Sequence, residues 1–187
     1  MKSRTLLHQF GMVAVIAIAF TLGVRTLPAQ SRDSEEISKL LSLAKSHAVL
    51  LEQDASLLDS YTRTKIGWQS HAQKLSEIKE HINALGKVNK DLDDERALGS
   101  PWQQKAIDQI DPLLREMANV LTVTIMHLND HPSQVHLSAY RDYAHANSEL
   151  ASKTAGMIRD FVDYDEAKSK AESLEAKLEL STSEKTD

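Results

Sequence analysis

The sequence contains no cysteine. That excludes disulfide bridges, thiolate metal sites, covalent haem attachment and a lipid-modified cysteine. Glycine and proline are scarce, at 6 and 4 residues of 187, and aromatics make up 5%. So few helix breakers leave room for long uninterrupted helices. No stretch alternates β-branched with polar residues, which removes the main signal for a sheet. A formal charge of −5 argues against a nucleic-acid partner. Gly-x-Ser-x-Gly, a phosphate-binding loop and His-Glu-x-x-His are all missing. Glu-x-x-His is missing as well, so the di-iron type of helical bundle is excluded. These absences point away from an enzyme.

What is present is an exported, helix-forming chain. Lys2 and Arg4 precede an apolar run from Gly11 to Val24, followed by Arg25, Leu27, Pro28 and Ala29. Basic, then apolar, then small is the order of a secretory signal peptide, which we place at residues 1–29 with cleavage after Ala29. The run is short for a membrane span, which takes about 20 apolar residues. An uncleaved anchor is the alternative. Losing Lys2, Arg4 and Arg25 takes the formal charge from −5 to −8. On either reading the folded part lies in the periplasm or outside the cell.

Past the leader, apolar residues recur in steps of three and four, the period of a helix buried on one face. Ile37, Leu41, Ala44, Ala48, Leu51, Ala55 and Leu58 mark a first helix opening near Asp33–Ser34. Leu40, Leu43, Leu50 and Leu57 should widen its apolar stripe. Trp68, His71, Leu75, Ile78, Ile82, Leu85, Asn89 and Leu92 mark a second, ending at Ala97–Gly99. Ile107, Ile110, Leu114, Met117, Leu121, Thr124 and Leu128 mark a third. Gly99 is expected to stop the second helix in a left-handed conformation. Ser100, Pro101 and Gln103 spell a capping box with proline at the first helical position. Pro112 should kink the third helix or split off its first segment. A fourth helix starts between Ser133 and Ser138 and includes Tyr140, Tyr143, Asn147, Ala151, Met157, Ile158, Phe161 and Tyr164. Short connections make neighbours antiparallel, so residues 33–164 read as an all-α, elongated up-down-up-down four-helix bundle.

Eight histidines are the main candidates for chemistry. Taking the turns as mirrors, His71, His127, His131 and His136 gather at one end of the rod. Imidazoles suit Zn, Cu or Ni, and His127 and His131 have the i, i+4 spacing that puts two ligands on one face. A second level holds His47, His81, Met117 and Asn147, with His145 nearby. A His/Met pair inside a bundle is also the chemistry of non-covalent haem ligation. The alternative for both groups is structural: helix-end histidines, and a polar layer that fixes register.

The last segment, residues 165–187, is a charged helical extension ending in a polar tail from Ser181 that is expected to be disordered. By level counting, residue 164 already reaches the end of the bundle. Ala167, Ala171, Leu174 and Leu178 nevertheless continue an apolar stripe. A stripe outlasting its core suggests a partner, either a second molecule or another envelope protein. The function expected from these features is that of an exported, non-enzymatic bundle working through protein contacts. Binding of a transition metal or haem by the bundle histidines is the alternative.

Overall fold

The computed structural model describes residues 33–183. The leader, its cleavage after Ala29 and the last four residues of the tail lie outside the described residues. Four helices follow in chain order: α1, Glu35–Tyr61; α2, Trp68–Glu95; α3, Pro101–Asp130; and α4, Ser138–Ser183. Single 3-10 turns, Arg96–Leu98 and Pro132–Gln134, precede α3 and α4. Among the described residues there is no strand. α1 packs on α2 and α4, and α3 packs on the same two, closing an antiparallel four-helix bundle. No described helix is long and apolar enough to cross a membrane.

The three-four spacing sets the core. Ile37, Leu41, Ala44, Ala48, Leu51, Ala55 and Leu58 of α1 are all buried. Facing them are Leu75, Ile78, Ile82 and Leu85 of α2, Ile107, Ile110, Leu114 and Met117 of α3, and Ala151, Ala155 and Ile158 of α4. Fully burying one such leucine or isoleucine contributes about 1.5–3 kcal/mol. The alanines bring the α1 and α4 backbones together.

The structure revises several expectations. Leu43, Leu50 and Leu57 do not widen the core stripe; they are 46%, 45% and 42% exposed. Only Leu40 of that group packs against the core. α1 already meets two neighbours, and its outward side is left to solvent. Pro112 does not split α3, which is continuous from Pro101 to Asp130. Pro112 is exposed, so the carbonyl it leaves without a helical donor can be hydrated. α2 ends at Glu95, one 3-10 turn before the expected stop. α4 is helical through Ser183, which puts residues 181–183 in helix rather than in the tail.

Gly99 is not left-handed. Its φ is −76° and ψ 150°, an extended conformation open to any residue. Glycine is needed there for space: a Cβ would lie 2.8 Å from Cδ1 of Ile37 and 3.3 Å from the Arg96 carbonyl oxygen. Four residues on, the capping box does more than expected. The Gln103 carboxamide oxygen accepts from the Ser100 N–H at 3.1 Å and from the Ser34 N–H at 2.8 Å. Its amide nitrogen donates to the Ser34 carbonyl at 2.9 Å. One buried side chain thus ties the starts of α1 and α3 together, satisfying N-terminal donors of both helices.

Candidate functional site

The α1–α2 and α3–α4 connections share one end of the rod, where an aromatic stack forms. His71, at the start of α2, is fully buried. Its ring lies 5.6 Å from that of Tyr61 and 5.3 Å from that of Tyr140, edge to face in both cases. Tyr140 also stacks on His127 at 6.0 Å. His127 in turn meets Tyr143 at 5.3 Å and His131 at 5.1 Å. Among the described residues, neither nitrogen of His71 has a hydrogen-bond partner, nor does the Tyr140 hydroxyl. Burial and the nearby His136 push the His71 pKa below its usual value, while the Ile66 carbonyl offsets this without reaching hydrogen-bond geometry. Burial likewise pushes the Tyr140 hydroxyl upward. His71 is therefore held as a neutral ring between aromatic faces.

His71, His127, His131 and His136 do come to the same end, but not to a common coordination centre. Among the described residues, no three His, Cys, Asp or Glu side chains are placed to hold one metal ion. The Tyr140 ring packs against both His71 and His127, and His131 and His136 stand exposed at the turn. Counting levels along the helices identifies which residues are neighbours. It does not show that a tyrosine from α4 packs against both His71 and His127.

The second level does not assemble as expected. The Asn147 amide donates to Thr124 Oγ1 at 2.7 Å and to the Tyr143 carbonyl at 2.8 Å. His145 is exposed and lies 3.4 Å from Glu149. His47 and His81 are neighbours, with ring centroids 6.5 Å apart, on the α1–α2 flank. His81 Nε2 is 3.2 Å from Asp54, whose other oxygen accepts from Lys74 at 2.8 Å. Burial alone lowers the Lys74 pKa, but bonds to Asp54 and Glu77 outweigh it and hold the ammonium charged. Such an amine is not a nucleophile at neutral pH. The Asn147–Thr124 pair acts as a register pin between α3 and α4.

At the opposite end the structure holds a contact that the sequence reading missed. The Trp102 indole N–H donates to Asp33 Oδ1 at 2.8 Å, and Lys168 binds the other Asp33 oxygen. The Trp102 ring meets Tyr164 edge to face at 5.2 Å. Burial alone would raise the Asp33 pKa; the bonds from Lys168, Ser100 and Trp102 bring it below the ordinary carboxylate value. Trp68 and Trp102, at the starts of α2 and α3, both read from sequence as aromatic caps on the core ends; Trp102 does pack against the core, but Trp68 is 46% exposed. The expectation that nothing in the bundle meets α4 after Asp165 therefore fails for one turn: the long arm of Lys168 reaches back to Asp33. Beyond it Ala171 and Leu174 are exposed, as is Ala167 on the preceding turn, and Leu178 is 66% exposed.

Compared with protein-family models, curated proteins and solved structures, the chain finds no match in any of the three.

Proposed function

We propose that this is an exported, non-enzymatic bundle protein that works through protein contacts, with the C-terminal part of α4 as its contact arm. The supporting observation is helix length. α4 has 46 residues, whereas α1, α2 and α3 have 27, 28 and 30. At about 1.5 Å per residue, α4 runs on for roughly 22 Å beyond Lys168, whose bond to Asp33 ties it to the bundle. An isolated helix of that length is marginal in water. This one is an outgrowth of a packed helix, so the core has already supplied its nucleus. Ala167, Ala171, Leu174 and Leu178 lie in alternating steps of four and three, the seam that a second helix reads. The partner it fits is a helical segment of another protein in the same compartment, packing along that seam.

A photo-crosslinking amino acid at Leu174, in the native host, should give discrete adducts with a second protein. The same probe at Lys153, an exposed position on the bundle part of α4, should not. A chain ending at Ser169 keeps Lys168 on Asp33, so it should retain the full helical signal of residues 33–169 and compete poorly for that partner. Absence of any adduct at Leu174, or adducts equally strong at Lys153, would refute the proposal. An adduct of twice the chain mass would make the partner a second copy.

A further inference from the structure

The outward side of α1 carries no charge over its middle five turns. It consists of Ser42, Leu43, Ser46, Val49, Leu50, Gln53, Ser56, Leu57 and Ser60, in a protein with 26% charged residues. The charges that α1 does have in this stretch are turned sideways. Lys45 pairs with Asp163 and Glu52 with Arg159, both on α4. Asp54 pairs with Lys74 on α2, and Asp59 with Arg63 in the following turn. Leu43, Leu50 and Leu57 are spaced by seven, which on a helix is a nearly straight column. They are the exposed leucines noted above, separated by serines small enough for a second helix to approach closely.

We infer that this face is where a second copy of the chain docks, antiparallel, with Leu50 on the two-fold axis. The spacing is symmetric about Leu50: rotation by 180° brings Leu43 onto Leu57 of the second copy and Leu50 onto itself. This is the self-complementarity that a two-fold interface requires. The charges at the two ends of α1 select the direction. Glu36 opens the helix and Lys65 follows it, both exposed, while Glu35 is paired with Lys39 and Arg63 with Asp59 inside each copy. Antiparallel pairing sets Glu36 of each copy near Lys65 of the other. Parallel pairing would set Glu36 against its own copy, and like charges across an interface are unfavourable. The contact is separate from the α4 arm and stands or falls independently of it.

The test uses the full-length mature protein and its lack of native cysteine. Leu50→Cys should form a covalent dimer rapidly under mild oxidation. Leu43→Cys and Leu57→Cys should each remain monomeric on gels alone and cross-link when mixed. Leu50→Glu and Leu50→Lys should each weaken dimerisation by at least about a hundredfold in sedimentation equilibrium, and an equimolar mixture of the two should recover it. Position 50 is nearly half exposed, so both variants should keep the wild-type circular dichroism. Four results would each overturn the inference: a wild-type monomer up to high concentration, cross-linking of Leu43→Cys with itself, dimers that survive both charged substitutions, or no recovery on mixing.

Discussion

Two residues show how burial, rather than backbone preference, decides what a position tolerates. Gly99 is one. Its backbone would accept alanine, but the added methyl meets Ile37 in a fully packed site. Overpacking of this kind costs about 1–3 kcal/mol, and the stiffer unfolded chain returns about 0.4–1. Gly99→Ala should therefore lower stability by about 1 kcal/mol in urea unfolding. Ile37→Val removes the clashing Cδ1 and should be nearly neutral in the Gly99→Ala background, a coupling of about 0.5–1 kcal/mol in a double-mutant cycle. Additive effects would show that the contact is not the cause. His71 is the other. Its folded-state pKa lies below the ordinary value of 6.5, so the unfolded chain takes up a proton first as pH falls. Stability from this residue is complete above about pH 6.5 and is lost as pH drops from there through the lower folded pKa. Tyr61, Tyr140 and His136 face it, and protonation of His136 adds repulsion. Because neither ring nitrogen is bonded, His71→Leu should be neutral or stabilising at pH 7 and should flatten the fall of the urea midpoint between about pH 7 and 5. An unchanged pH profile would show that other groups control it. Sequence showed the Ser100–Gln103 capping signal plainly. It could not show that Gln103 also caps α1, because that bond joins residues 69 apart.

At the scale of helices, period revealed the core face and left the width of that face open. Ile37 through Leu58 could be assigned because a three-four repeat has one centre line. Leu43, Leu50 and Leu57 lie well off that line, and whether an off-centre leucine is covered depends on where the neighbouring helices stand. Composition alone cannot supply that. The same holds for Lys168, whose side chain spans the turn between the bundle and the arm. α4 illustrates the difference between continuity and protection. One face of it is buried as far as Val162, and every residue from Ser169 to Lys177 is exposed, though the helix is unbroken. Hydrogen exchange should therefore show slow amides through residues 144–162 and near-unprotected exchange over 170–177. Equal protection along the whole helix would mean that the arm is covered in the free protein.

At the scale of the molecule, the antiparallel order of the helices and the number of turns were legible, because loops of a few residues allow little else. Where the histidines meet was legible only to within a turn, which was enough to place His71 near His127 but not to foresee Tyr140 against both. What the whole shape implies follows from the single unbroken course of α4. Its packed half and its exposed half are one stiff rod, with Lys168, Asp33 and Trp102 gripping it where it leaves the bundle. That grip is a fulcrum. A sideways pull on the outer end turns the inner end against α1 and α3, concentrating load on the Asp33 cluster and on the Asn147–Thr124 pin deeper in. Because α4 is unbroken between its two halves, a load on the outer end would reach the bundle first through the Asp33 cluster.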